Sequence, residues 1–237
     1  MKDTAMPTKV IAVVAYVIGI AGAAIYFAFV LGVGTGFLPR PDPVDGPLPW
    51  LIDLGWLMLF ALQHSGMARR AFKRWWTSVI PATLERAIYV GCSGIAIVIL
   101  TIGWQPLPGE PIWQGPVWIV GISLTAAAGI GICSAWFDHA RFFGLQQAWT
   151  GKLDTWGPLR IEGPYRYVRH PLMVGLLIAI WAQPTMPTEL LLLNAGISAY
   201  IFIAIQLEER DMIRQFGVAY RRYRRRVPAL IPWRRWP

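Results

Sequence analysis

Long apolar runs that hold almost no charge are the feature that most constrains this chain. Four of them, at residues 10–32, 50–68, 87–104 and 117–137, are long enough to cross the roughly 30 Å hydrocarbon core of a bilayer as helices. Only 15% of the 237 residues are charged, whereas a soluble domain carries about 25%. The chain is therefore predicted to be an integral membrane protein.

Two further apolar runs follow a long polar segment. Residues 172–183 number only 12, too few to cross alone as a straight helix, whereas residues 190–207 number 18. Prolines separate the two runs, so we expect a helical hairpin whose first arm is short or tilted. After residue 207 the chain turns polar and should continue as a cytoplasmic helix, with Gly217 as a break.

Basic residues set the orientation of these segments. If the N-terminus lies inside, all but Arg40 of the 22 Lys and Arg residues fall on the inner side. The formal charge of +9 then reflects orientation and contact with anionic lipids, which excludes a nucleic-acid partner. We predict a bacterial inner-membrane protein with both termini in the cytoplasm, membrane lipids around it and no obligate protein partner.

The predicted fold is therefore all-α: a polytopic transmembrane bundle of five to six membrane segments with a cytoplasmic C-terminal helix. Its length predicts a single domain over residues 1–237. Within it, residues 1–137 would form four N-terminal spans, and residues 138–237 would carry the polar site.

Three other patterns predict no site. The glycines from Gly32 to Gly36 resemble a nucleotide-binding loop, but no helix follows them, so we interpret them as a frayed helix end. Cys92 and Cys133 lie inside apolar runs, which predicts no disulfide. Three His without ligand Cys predict no metal site.

A nine-residue stretch concentrates polar groups where the fifth apolar run begins. Residues 163–171 read Gly-Pro-Tyr-Arg-Tyr-Val-Arg-His-Pro. Pro171 suits the first turn of a helix, and the N–H groups of such a turn can bind a carboxylate. His170 could contact a cofactor there, or it could simply cap the helix. The residues alone leave both readings open.

Glu208 and Glu209 stand together at the end of the sixth apolar run. Neighbours on a helix are about 100° apart, so the two side chains cannot point identically into one pocket. One could bind an ammonium or a ribose hydroxyl while the other pairs with an Arg. Alternatively, both could be interfacial charges paired with Arg210 and Arg214.

These residues also carry a family likeness. The nine-residue stretch, the glutamate pair and the later Arg226-Val227-Pro228 resemble the membrane methyltransferases of the isoprenylcysteine carboxyl methyltransferase and phospholipid N-methyltransferase superfamily. The resemblance implies S-adenosylmethionine in a cytoplasm-facing pocket between the Arg-His-Pro helix start and the glutamates. It implies cofactor contacts from Tyr165, Tyr167, Arg169, His170, Pro171, Glu208, Glu209, Tyr220 and Tyr223.

The first half narrows the resemblance. Gln63-His64-Ser65, Glu85-Arg86 and His139 with Phe143-Gly144-Leu145 are similar to the bacterial methanethiol S-methyltransferases, which form dimethyl sulfide. A thiolate nucleophile benefits from a base or an electropositive surround. We expect His139 or His64 as the base or proton path, with Arg226 shaping the pocket. Two alternatives remain: a prenylcysteine carboxylate or phospholipid amine as acceptor, and a non-enzymatic membrane scaffold.

Overall fold

The computed structural model describes residues 6–37, 40, 42–135, 138–153 and 159–233. Helices dominate these residues. Three of them, within Met6–Val33, Ala82–Gly103 and Thr188–Phe216, are long and apolar enough to cross a bilayer. The protein is an integral membrane protein.

Six helices fall on the six predicted apolar runs. They are α1 (Met6–Thr35), α2 (Leu48–Ala68), α4 (Glu85–Gly103), α5 (Ile119–Ala135), α8 (Pro171–Trp181) and α9 (Thr188–Phe216). Shorter elements connect or follow them: α3 (Arg70–Trp76), α6 (His139–Phe142), α7 (Leu145–Thr150), α10 (Val218–Arg226), β1 (Trp113–Gln114) and β2 (Thr185–Met186). Residues 136 and 137, the end of the predicted fourth run, lie outside the described residues.

The first compact unit is formed by Met1–Val117, His139–Asp154 and Pro184–Leu193. At its centre, α1 and α4 approach through glycine. A Cβ on Gly94 would lie 2.6 Å from the Gly19 Cα and 2.6 Å from the carbonyl oxygen of Ile18. Only glycine allows two backbones to come this close, as is common where membrane helices associate.

A short sheet lies at one edge of the first unit. β1 pairs with β2 in antiparallel register, with Trp113 opposite Met186. The all-α prediction did not include these strands, because two residues are too few to show a β alternation. Nearby segments of the same unit are joined by polar contacts: Arg40 donates to Glu189 at 2.6 Å, and the Gln105 N–H donates to Asp53 at 2.8 Å.

The second compact unit is formed by Trp118–Asp138, Thr155–Gln183 and Asn194–Pro237. The division at residue 137, with the fourth span in the N-terminal part, stays a prediction. In the structure α5 packs along α8 within the second unit. The two helices meet where a Cβ on Gly175 would lie 2.8 Å from Ile130, and the Ser123 hydroxyl donates to the Ala179 carbonyl at 2.7 Å.

The end of α8 is held by side chains of α9. Asn194 Nδ2 donates to the Ile180 carbonyl at 2.7 Å, and the Trp181 indole donates to Ser198 at 2.9 Å. The last turn of α8 therefore packs beside α9 about two to three turns after the start of α9. The predicted break at Gly217 is confirmed: α9 ends at the residue before it, and Gly217 has a φ of 55°, in the region that favours glycine.

Candidate active site in the second unit

The Arg-His-Pro segment is fixed by the end of the chain. A short 3₁₀ turn at Gly163–Arg166 leads into it. The backbone N–H groups of Arg169 and His170 donate to the carbonyls of Pro228 at 2.9 Å and Ala229 at 3.1 Å. Pro171 then begins α8, as the sequence predicts. Both polar side chains are thus presented at a helix start by a clamped backbone.

Glu209 is the centre of a buried ion cluster. Its side chain is only 3% exposed. Its Oε1 accepts from Arg169 Nε at 2.6 Å and lies 3.3 Å from His170 Nε2. Its Oε2 lies 2.9 Å from Arg224 Nε. A buried carboxylate with three such partners is well compensated for the loss of water.

Arg169 is equally well held. Beyond Glu209, its Nη1 donates to the carbonyl of Arg224 at 3.1 Å and to the carbonyl of Val227. The guanidinium therefore ties the glutamate on α9 to the end of α10 and to the residue that follows it.

Glu208 differs from its neighbour in exposure. Its side chain is 45% exposed, and its Oε2 lies 3.5 Å from His170 Nδ1. His170 therefore stands between the two glutamates. Burial by itself would lower the pKa of His170, but hydrogen bonds and charges from Glu208 and Glu209 outweigh it and raise the pKa above its ordinary value. The ring favours its charged form.

Two buried tyrosines support the cluster from α10. Tyr220 and Tyr223 are each 3% exposed and pack with Val227. The Tyr223 hydroxyl donates to the carbonyl of Tyr165 at 2.6 Å, and burial raises the pKa values of Tyr165, Tyr220 and Tyr223. Tyr167 is instead half exposed. All nine residues predicted to contact the cofactor belong to the second unit.

The predicted base candidates lie in the first unit. His64 Nδ1 lies 3.0 Å from the Ser93 hydroxyl, and its Nε2 lies 2.8 Å from the Tyr89 hydroxyl. His139 Nε2 lies 2.9 Å from the Tyr16 hydroxyl, and its ring packs against Phe143. These two histidines do not share a compact unit with His170.

Arg224 is the functional residue that the sequence reasoning missed. It belongs to a run of three arginines, Arg224 to Arg226, which reads as a solvated basic face. Arg226, predicted to shape the pocket, lines an open hollow together with Arg169 and Arg224. The missed signal is the spacing to Tyr220: residues four apart on a helix share a face, and Tyr220 is buried.

Comparison with known proteins identifies the family of this chain. The family model described as "NnrU protein" matches residues 54–212. The chain belongs to this family. The match includes His64, His139, the Arg-His-Pro segment and both glutamates. No solved structure matches the chain.

Several relatives of this NnrU-family chain are named methanethiol S-methyltransferase, the group that the motifs in its first half resemble. Methanethiol S-methyltransferase 2 of Bradyrhizobium diazoefficiens is 38% identical over 228 residues, covering 91% of the chain and 88% of the relative. Methanethiol S-methyltransferase of Mycobacterium tuberculosis is 36% identical over 237 residues, covering 92% and 97%. Human Nurim is 33% identical over 181 residues, covering 70% and 68%. The resemblance to the methanethiol S-methyltransferases is confirmed.

Proposed function

We propose that this protein is an S-adenosylmethionine-dependent methyltransferase of the membrane that converts methanethiol to dimethyl sulfide. The observation that carries the proposal is that two adjacent glutamates differ in exposure and in partners. Glu209 is buried and neutralised, and Glu208 is left accessible beside His170 at the start of α8. Relatives named methanethiol S-methyltransferase, 36–38% identical over most of the chain, support the acceptor.

The residues present fit the cofactor. S-adenosylmethionine bears an ammonium and a carboxylate, and its sulfonium supplies an electrophilic methyl group. The accessible Glu208 carboxylate suits the ammonium or a ribose hydroxyl. The first turn of α8 has N–H groups that the helix itself does not use, which suit the carboxylate. The exposed ring of Tyr167 offers an aromatic face.

Each of the two base candidates has its Nε2 paired with a tyrosine hydroxyl of the first unit. The Ser93 hydroxyl donates to the Tyr89 carbonyl at 2.9 Å, so it accepts from His64 Nδ1–H. The lone pair of His64 Nε2 then accepts from the Tyr89 hydroxyl. His64 is thereby held neutral with its basic nitrogen in use. His139 Nε2 is likewise paired with the Tyr16 hydroxyl at 2.9 Å, so its ring nitrogen is in use as well. Both histidines stay candidates for the base or proton path.

The membrane arrangement in this proposal places both termini in the cytoplasm of a bacterial inner membrane, with six membrane segments. The fifth, α8, has 11 residues and rises only about 16 Å. We propose that it ends within the hydrocarbon region. Buried Ser123, Gln183 and Asn194 support this because they bond the carbonyls of its last turn, which hydrocarbon would leave unsatisfied.

The direct experiment is headspace detection of dimethyl sulfide from cells that express the protein and are fed methanethiol. Wild type should form dimethyl sulfide, and Glu208→Gln should form much less. Arg214→Gln is the matched control, because Arg214 lies on the same helix, is exposed and pairs only locally with Asp211. Its product level should match wild type. No dimethyl sulfide from well-expressed wild type would contradict the assignment.

An acceptor panel with labelled cofactor separates the alternatives. Label in prenylcysteine or in phospholipid, but not in a volatile product, would keep the enzyme class and change the substrate. One relative bears the name Nurim rather than that of a methyltransferase, so a non-enzymatic scaffold is the second candidate. A calorimetric titration without saturable S-adenosylmethionine binding would favour that candidate.

A further inference from the structure

An arginine-rich hollow opens on the second unit beside the ion cluster. Its volume is about 460 Å³, within the range of about 300–1,000 Å³ typical of small-molecule sites. Four of its lining side chains are arginines: Arg169, Arg224, Arg225 and Arg226. The remaining wall is formed by residues 227–229 and Trp233.

The charge of this hollow selects its occupant. Among the ion pairs that reach it, one carboxylate, Glu209, is shared by Arg169 and Arg224. Arg169 and Arg224 therefore set two positive charges against one buried carboxylate at this wall, and Arg225 adds a third positive charge. Such a surface repels a cation and attracts an anion with several acceptor oxygens, above all a phosphate.

The rim of the hollow has an apolar side that a soluble anion would not use. Trp233 in its wall is 66% exposed, and Ile231 nearby is 69% exposed. Exposed Trp beside basic residues is typical of a membrane–water interface. In an integral membrane protein, this combination matches a phospholipid, whose phosphate and acyl chains meet at that level.

We propose that this hollow is a binding site for the phosphate-bearing headgroup of an anionic membrane lipid. The guanidinium group of Arg225 binds the phosphate, and Trp233 lies against the glycerol and the first acyl carbons. Arg224 contacts Glu209 from the same side, so the bound headgroup lies next to the cation that neutralises the buried carboxylate. The site does not depend on methyl transfer.

Native mass spectrometry of the full-length protein in a neutral detergent tests this site. The probes are phosphatidylglycerol, the zwitterionic phosphatidylcholine and inorganic phosphate. Phosphatidylglycerol should bind saturably at one site, well ahead of phosphatidylcholine. Arg225→Gln should weaken it about tenfold or more, the value of one charge-assisted hydrogen bond. Arg222→Gln, which removes the same charge from an exposed position of α10 outside the hollow, should change affinity less than about twofold.

A second variant separates a lipid from a free anion. Trp233→Ala should weaken phosphatidylglycerol binding and leave inorganic phosphate binding unchanged. Equal losses for Arg225→Gln and Arg222→Gln would show diffuse attraction to a basic surface and overturn the proposal. Inorganic phosphate that binds as tightly as phosphatidylglycerol would assign the hollow to a free anion and overturn it too. Thermal unfolding of each variant, expected within a degree or so of wild type at these exposed positions, confirms that the fold is intact.

Discussion

Replacement of Glu209 by glutamine should destabilise the protein far more than the same change at Glu208. Glutamine keeps the size of the side chain and removes only the charge. At position 209 the buried guanidinium of Arg169, whose side chain is 9% exposed, then loses its counter-ion. Its remaining bonds, to the carbonyls of Arg224 and Val227, do not neutralise it.

The magnitude follows from burial. Removal of one partner from a buried ion pair costs about 3–5 kcal/mol, because the other charge stays buried and uncompensated. In a chain of this size, each kcal/mol lowers Tm by about 2–4 °C, so Glu209→Gln should lower Tm by roughly 6–20 °C. The Glu208 side chain is 45% exposed and lies 3.5 Å from a single partner, His170. Its loss should cost about 1 kcal/mol or less.

Cofactor binding should show the opposite order. Calorimetric titration of each purified variant with S-adenosylmethionine, well below the variant's Tm, measures it. Glu208→Gln should weaken binding by about 10- to 100-fold with near-native Tm, since a hydrogen bond to a charged group contributes about 1.5–3 kcal/mol. Any loss at Glu209→Gln should accompany loss of stability. If Glu209→Gln unfolded within a degree of wild type, the ion cluster would not be what holds Arg169 and α10 in place.

Three further predictions address the other parts of the structure. Gly94→Ala should reduce the free energy of unfolding by about 1–3 kcal/mol or more and so lower Tm, because its Cβ would meet the backbone of α1. Gly55→Ala on α2, where a Cβ meets nothing within 4 Å, should leave Tm unchanged. The pKa of His170 is raised, so its charged ring contributes stability that is complete below about pH 6.5 and is lost as pH rises through the raised pKa; denaturant titrations from about pH 6 to about pH 9 should show a steeper decline for wild type than for His170→Gln. If His139 or His64 is the base, its replacement by Asn should reduce thiol methylation at neutral pH by about 10²–10⁴-fold, with partial recovery as pH rises and unchanged S-adenosylmethionine affinity; wild-type rates in both variants would refute a histidine base at these positions.

The helices were predictable because hydrophobic runs report them directly. Each of the six predicted runs contains most of one helix, and most ends differ by a few residues. The exception is α9, which continues nine residues past its run into the polar segment that was also predicted to be helical. The roles of the two glutamates were also foreseeable in outline, because residues 100° apart on a helix must face different surroundings. Which glutamate is buried depends on where Arg169 and Arg224 lie, and the sequence alone does not show this.

The parts that were not predictable depend on distant segments. Arg224 stands among three adjacent arginines, and only the turn at Gly217 decides which of them reaches the glutamate. The pairing of α5 with α8 depends on Ser123 and Gly175, single residues whose partners lie about fifty positions away. The β1–β2 pair joins residues more than seventy positions apart. The α5–α8 and β1–β2 contacts leave no local periodicity to detect. The spacing of Arg224 from Tyr220 becomes informative only once Tyr220 is known to be buried.

One of the counter-ions of the buried glutamate comes from beyond the residues that match the family model. The family model ends at residue 212, just after the glutamates, whereas Arg224 and the carbonyls that bind Arg169 lie in the last helix and the segment after it. A buried carboxylate is tolerated only with its cations in place, so the fold-back of the tail is a condition for the arrangement of His170 and Glu209. The tail after residue 212 therefore supports the ion cluster, and changes in it should alter the surroundings of His170 and Glu209 without touching a residue of the family match.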